Sequence, residues 1–461
     1  MLFLNIVVKP IYILAIDAQV QNRVGNEDYG LYFAIFNFSF LFAIVLDLGI
    51  QNYNSKNVSQ NREQITEEFA YIFGIKLVLA LVYLLVLFVF GKLVGYSKNE
   101  FPLLLGIGAI MFFQSLYIYL RSHFSALGFF NIETYLSAFD KILMILILGY
   151  FLYIRGEINI NLFVKGQVLA LIIACMVALI LLGKKFKICL RFSVRKSKEL
   201  FHHSLPFALV FLLMTLYTRM DGVMLERMID DNGASAGIYA TGYRLLDAGN
   251  MLGYLFSVLL LPMFAKQLGD KADINPLVRT AGSLLFVIVT MVSLMSWFYA
   301  EEIMNLIYSS ITEVNIRIFQ ILMLGFWFMC MSYVYGALIT ASGKLKQLNY
   351  IFILGIMLNW VLNLYLIPRQ GPVGAAVATL TTQSLVFLGQ FVLATKRFNL
   401  QFPPELILKV ACYVGITFAF VKVMNTNIQL FWLVELIIIT VFLLAVSFLM
   451  GLFRLSWTNS N

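Results

Sequence analysis

The chain has 461 residues, of which 61% are hydrophobic and 12% charged, with a net charge of +9. Soluble proteins average about 45–50% apolar and about 25% charged residues, so a soluble multidomain enzyme, a disordered chain and a fibrous repeat are all excluded. At about 20 residues per span, fourteen spans fill about 60% of this length, which predicts an all-α polytopic membrane protein; the apolar runs are continuous, where a β-barrel would alternate over segments of about ten residues.

In chain order, the apolar runs predict spans at roughly 2–20, 29–50, 68–91, 101–121, 134–154, 163–183, 203–224, 236–263, 280–300, 317–340, 347–368, 372–395, 405–424 and 429–450. The first is the most interrupted, by Lys9, Pro10 and Asp17. Pro206 is expected in the first turn of the seventh span and Pro262 at the end of the eighth. Pro368, Gly371, Pro372 and Gly374 read as a tight turn between the eleventh and twelfth, with Gly374 and Ala378 as a close-packing face. The longest loops, at about 51–67 and 184–202, are too short for a soluble domain. Any chemistry therefore belongs to the helices or their ends.

Lysine and arginine set the orientation. With the N-terminus inside, the inner loops and tail hold about 18 of the 33 basic residues, so both termini are expected in the cytoplasm. The loop carrying Lys184, Lys185, Lys187, Arg191, Arg195, Lys196 and Lys198 dominates. The positive charge thus reflects topology and an acidic membrane surface, with no nucleic-acid partner. This loop divides the chain into 1–183 (spans one to six), a basic linker 184–202, 203–395 (spans seven to twelve) and 396–461 (two further spans).

The two halves echo each other. Gly30-Leu31-Tyr32 opens the second span and Gly237-Ile238-Tyr239 opens the eighth; Ala126-Leu127-Gly128 follows the fourth and Ala341-Ser342-Gly343 the tenth. Six spans per repeat keeps both halves in one orientation, which predicts two six-helix lobes related by a pseudo-two-fold axis along the membrane normal, a central cleft, and two added C-terminal helices.

No catalytic constellation, metal set or cofactor motif is present: there is no Walker A pattern and no HExxH, and a non-enzyme is expected. Cys175, Cys189, Cys330 and Cys412 are scattered and read as free thiols. His123, His202 and His203 fall near span ends, where an exposed position is expected.

Charges inside spans carry the signal, because each costs about 2.5–3.5 kcal/mol at a helix centre on insertion scales. Arg219 and Asp221 lie in the seventh span, two residues and so about 200° apart. Arg244 and Asp247 share a face of the eighth. Two roles fit these four: ion pairs that fix helix packing, or a cationic cavity that holds an anionic headgroup with the acids tuning it. The planar arginine fork suits a diphosphate. Asp17 and Asp47 are short carboxylates that cannot reach an interface and are candidates for a coupling ion. Lys76 and Lys165 are long enough to snorkel. Asp140 and Lys141 are sequence neighbours and are not expected to face each other. Asn359 and Asn363, one turn apart, fit packing or substrate contact.

VGNEDYGLY (24–32), LDLGIQNYNSKN (46–57), SLPFALVFLLMTLYTRMDGVML (204–225), GIYATGYRLLDAGNML (237–252), ASGKLKQLNY (341–350) and NWVLNLYLIPRQGPVGAAVATL (359–380) run in order along nearly the whole chain. Together they resemble the lipid-linked oligosaccharide and polysaccharide flippases of the multidrug/oligosaccharidyl-lipid/polysaccharide exporter superfamily. The resemblance implies alternating access that moves a polyprenyl-diphosphate-linked sugar between leaflets of a bacterial cytoplasmic membrane, for O-antigen-type or other surface polysaccharide synthesis. It implies a monomer surrounded by membrane lipids, with glycan-synthesis proteins as partners, and Arg219, Asp221 and Arg244, with Arg23 beside the first motif, facing the cleft. It also implies an arm and a complete first helix ahead of the first motif; Met1 falls inside that helix, so a start site upstream is expected. The alternatives are a multidrug cation antiporter of the same fold, which calls for a net acidic cleft, and a non-transporting scaffold of glycan synthesis.

Overall fold

The computed structural model describes residues 2–50, 65–184, 194–427 and 430–452. Side chains 2–6, 65–68, 126, 194–207 and 427 are outside this description, as are the expected contributions of Lys185, Lys187, Cys189 and Arg191. Among the described residues the structure is helical, without strands. The helices are α1 (Leu2–Tyr12), α2 (Ala18–Leu41), α3 (Ile65–Val94), α4 (Phe101–Ala126), α5 (Phe130–Gly149), α6 (Ile160–Gly183), α7 (Val194–Met228), α8 (Ala234–Gly269), α9 (Asn275–Phe298), α10 (Ala300–Ile307), α11 (Glu313–Ala341), α12 (Leu345–Phe398), α13 (Pro404–Asn427) and α14 (Trp432–Leu449).

Eleven of the described helices are long and apolar enough to cross a membrane, against fourteen expected spans. The differences have local causes. The expected first span is split between an eleven-residue helix, α1, a π-helical turn at Ile13–Asp17 and the start of α2. The second shares α2 with the polar stretch from Arg23 to Asp28, broken at Gly25 with φ +86°. The eleventh and twelfth lie together in α12, whose 54 residues would extend about 80 Å, far beyond a hydrocarbon layer of about 30 Å. Gly371, at φ +57° between Pro368 and Pro372, turns this chain back on itself. A Cβ on Gly374 would overlap the Leu366 carbonyl, so the small face expected there is a close-packing face. The prolines behave differently from expectation elsewhere: α7 begins at Val194, which leaves Pro206 in its interior, and α8 runs past Pro262 to Gly269.

The described residues form two compact units, 1–240 and 241–461. In the first, α4 packs on α6, α5 on α6, α1 on α5 and α2 on α7. Its core includes Phe69, Tyr117, Tyr119, Phe124 and Cys175. His123 belongs to this core: it is fully buried, edge-on to Phe69 and Tyr119, with Nδ1 3.0 Å from the Tyr119 carbonyl. The exposed position expected for it is overturned because the α4 end is covered by α3. In the second unit α11 packs on α9 and α12, and α13 and α14 close over α9 through Met291, Tyr299, Val421, Met424, Ile439 and Leu443. Leucines and isoleucines stand exposed along the outer faces, Leu81, Leu93, Ile437 and Leu449 among them. That pattern is stable only where the surroundings are as apolar as the core.

Candidate functional site

Three groups of polar residues in the first unit surround the charges singled out in its spans. The first is built on the π-helical turn. Asp17 ends it, is 3% exposed, and accepts a 2.7 Å hydrogen bond from the Tyr29 hydroxyl. The Ala15 carbonyl of the same turn accepts from the Tyr153 hydroxyl at 2.6 Å. A π-turn disturbs the regular ladder and is commonest at functional sites; here an outside hydroxyl meets one of its carbonyls.

The second group is on α7. Asp221 is 1% exposed and accepts a 3.0 Å hydrogen bond from the Tyr239 hydroxyl. Next to it, Gly222 lets α7 approach α2 so closely that a Cβ would lie 2.6 Å from Asn37 Nδ2 and 2.8 Å from the Phe33 ring. Arg219 points another way, as the two-residue spacing requires, and its guanidinium lies 5.2 Å from the centre of the Phe40 ring. A guanidinium over an aromatic face is attracted by the ring quadrupole, which favours this placement of the charge.

The third group is at the end of α2. After the 3-10 turn Ala43–Leu46, Lys76 of α3 is 2% exposed and gives its ammonium to the Leu46 carbonyl (3.1 Å), Asp47 Oδ1 (2.9 Å) and Ser115 Oγ (3.1 Å). All three donors are used, so Lys76 does not snorkel, and Asp47 is its ion-pair partner. A further network joins Arg121 to Glu133 at 2.6 Å, and Lys141 folds back to 3.6 Å from Asp140. The expectation that these sequence neighbours do not meet is overturned by the length of the lysine stem.

Where the second and eighth spans begin, the two echoing glycines meet. A Cβ on Gly30 would overlap the backbone of Gly233 and Gly237, and one on Gly237 would overlap Asn26. Gln21 Nε2 adds a 2.8 Å bond to the Gly237 carbonyl. Arg227, at the same end of α7, lies 4.1 Å from the Tyr96 ring centre and 4.0 Å from Glu100. Arg23 is exposed at the turn beside Gly25 and outside any span interior.

In the second unit, Arg244 is 9% exposed and Asp247 half-buried on α8. Gly242, Gly249 and Gly253 place α8 against α11, where a Cβ would lie 3.1 Å from Ile318, 3.1 Å from Phe326 and 2.7 Å from Tyr333. At 100° per residue this glycine stripe is about 170° from the mean direction of Arg244 and Asp247. The two charged residues therefore share the face opposite α11. Thr241 anchors the helix, accepting from Asn315 Nδ2 at 3.1 Å through its hydroxyl and from the Tyr308 hydroxyl at 3.1 Å through its carbonyl. Asn359 and Asn363 are fully buried and joined by a 3.1 Å hydrogen bond. Among the described residues no group of three His, Cys, Asp or Glu is placed to hold a metal.

Two partners were not singled out by the sequence: the tyrosines on Asp17 and Asp221. Both sit beside the echoing glycines, Tyr29 before Gly30 and Tyr239 two after Gly237, and that proximity is the signal that could have found them.

Residues 18–268 match the family described as polysaccharide biosynthesis protein. The chain belongs to that family. Among individual relatives, it is 26% identical over 311 residues to a capsular polysaccharide biosynthesis protein, CapF of Staphylococcus aureus, covering 66% of this chain and 69% of that one. It is 21% identical over 448 residues to an uncharacterized membrane protein, MJ1068 of Methanocaldococcus jannaschii, covering 89% and 87%. In fold it is similar to the lipid II flippase MurJ in an inward closed conformation, with TM-score 0.78, 16% identity and coverage of 98% and 100%. It is also similar to an inward-facing multidrug resistance MATE transporter, with TM-score 0.67, 14% identity and coverage of 85% and 94%. The protein is thus a multi-pass membrane protein of the family, with the all-α fold of the superfamily that the sequence motifs resemble.

Proposed function

We propose that this protein is a flippase that moves a polyprenyl-diphosphate-linked oligosaccharide across the bacterial cytoplasmic membrane by alternating access, in the synthesis of a cell-surface polysaccharide. The observation that carries the reading is the family match together with Arg219 and Arg244, two arginines at span depth on α7 and α8. Each would give a bidentate, charge-assisted contact to a diphosphate oxygen pair. Asp221 and Asp247 then limit the net positive charge, so that the headgroup is released after the conformational change. The lipid tail stays in the bilayer, and the protein removes the cost of carrying a charged, hydrated head through hydrocarbon.

The repeat of spans one to six in spans seven to twelve supplies two lobes, 1–183 and 203–395, with both termini in the cytoplasm. In that topology the turns at 21–28 and 229–233 lie on the outer side. The interlocked Gly30, Gly233 and Gly237 then stand at the outer side. Asp17, held by Tyr29 in its π-turn, is the coupling carboxylate. Asp47 is assigned instead to its ion pair with Lys76.

The test is depletion of the protein followed by analysis of lipid-linked sugars. The reading expects undecaprenyl-diphosphate oligosaccharide to accumulate on the inner leaflet. It also expects Arg244→Ala to abolish complementation at unchanged protein level. Unchanged lipid pools with raised sensitivity to cationic drugs would replace the flippase with a multidrug cation antiporter of the same fold. Unchanged lipid pools without a drug phenotype would leave a scaffold of glycan synthesis.

A further inference from the structure

The two arms of α12, before and after its turn at Gly371, form an open groove apart from the residues assigned to transport above. It measures about 650 Å³ and is lined by Gln347, Tyr350 and Ile351 from the first arm and by Leu388, Val392 and Lys396 from the second. Gly389 forms its floor: a Cβ there would lie 3.2 Å from Ile351, so the arms approach closely while the larger side chains stand out on either side. Tyr350, Leu388 and Val392 are exposed, which in a membrane means that they face lipid.

The polar end of the groove has one sign of charge. Lys344 and Lys346 open the first arm, and Lys396 and Arg397 close the second; all four are exposed. From residue 314 to 404 the sequence contains no Asp or Glu. The nearby loop acid Asp273 is engaged by the backbone N–H and side chain of Asn275 at 3.0 and 2.9 Å. From Lys396 back to Leu385, which also lines the groove, is eleven residues, or about 16 Å along a helix. That is about half of a 30 Å hydrocarbon core, the depth of one leaflet.

We propose that this groove binds an anionic phospholipid, with its phosphate at Lys396 and Lys346 and an acyl chain along Ile351, Leu388 and Val392. The dimensions fit one leaflet-length chain below one headgroup, and basic clefts between spans are the usual seat of anionic headgroups. A zwitterionic lipid would bring its own cation against four basic side chains. In the orientation given under Proposed function, on which this leaflet assignment rests, the groove opens to the cytoplasmic leaflet. The lipid would brace the two arms on the side away from transport.

The full-length protein, purified in detergent and examined by native mass spectrometry with added phosphatidylglycerol or phosphatidylcholine, tests this. Phosphatidylglycerol is expected to remain bound at activation energies that strip phosphatidylcholine. Each lysine near a headgroup contributes enough that Lys396→Gln should weaken phosphatidylglycerol about fivefold and the Lys346→Gln/Lys396→Gln double variant about 25-fold. Leu388→Trp, which fills the apolar part and keeps the charge, should weaken it as well. Equal retention of the two lipids, unchanged binding in the variants, or displacement by millimolar inorganic phosphate would each overturn the proposal. Displacement by undecaprenyl phosphate alone would overturn it too, and reassign the groove to a prenyl tail. Complementation by Lys396→Gln is read separately and is expected to persist, so a failed lipid assay leaves the flippase reading standing.

Discussion

The first and seventh spans each bury an aspartate against a tyrosine hydroxyl, yet they are built differently. Asp17 stands at the end of a π-turn, 13 residues before Gly30, and is met by Tyr29; Asp221 stands in a regular helix, 16 residues before Gly237, and is met by Tyr239. The tyrosine that corresponds to Tyr239 by the glycine register is Tyr32, which instead accepts from Gln167 Nε2 at 3.3 Å. The donor has therefore moved by one helical turn, matching the three-residue difference in spacing. Counted back from Asp221, Arg219 has Ala15 as its counterpart before Asp17. The seventh span thus carries an arginine two residues before its aspartate, and the first an alanine. The comparison separates the roles proposed above: the anion is assigned to the seventh span, and the coupling ion to the first.

The largest effect tests what the two repeats share. Gly237→Leu should abolish complementation, because any side chain there overlaps the Asn26 backbone; a cysteine placed at Glu27 should at the same time become more reactive to an impermeant maleimide from outside. Next comes the cation that they do not share. Arg219→Ala should reduce transport about 10- to 100-fold at normal protein level, the loss of one or two charge-assisted hydrogen bonds, whereas Ala15→Arg should not rescue it. Comparable activity of Arg219→Ala and wild type would return Arg219 to packing. For the carboxylates, Asp17→Asn should remove the dependence of transport on an ion gradient while Asp221→Asn keeps it; equal behaviour of the two would break the division. The smallest expected effect is on stability alone. Lys76→Met should cost about 2–3 kcal/mol in thermal unfolding, less than a fully buried pair because Asp47 is 26% exposed, and the Asp47→Leu/Lys76→Met pair should recover most of it.

Much of the helical architecture was legible because a bilayer admits few solutions: runs of about 20 apolar residues become spans. The weak first span is broken in the structure where its sequence is interrupted: α1 ends at Tyr12, two residues after Pro10, and a π-helical turn runs to Asp17. The turn that divides α12 into the two expected spans was legible as well, since Pro368, Gly371 and Pro372 signal a break and Gly371 takes φ +57° there. At the site, charge placement drew attention to Arg219, Asp221, Arg244 and Asp247, and spacing correctly separated Arg219 from Asp221. Partners were beyond reach. A lysine long enough to snorkel turned inward to Asp47, and His123 was covered by a neighbouring helix, because both outcomes depend on which helices pack together. The tyrosine hydroxyls were missed for a related reason: Tyr is common in apolar runs, and only the fold shows which of 23 meets a carboxylate.

The meeting of Gly30 with Gly233 and Gly237 has a further consequence. The contact is made by main chain on both sides, so it offers no side chain through which a loss on one face could be compensated on the other. The repeats are free to drift apart in their charges, as Ala15 and Arg219 show, but at this address neither copy can change alone or together. The two echoing glycines are thereby held to the same residue by mutual exclusion of volume, and this contact is the place least open to engineering.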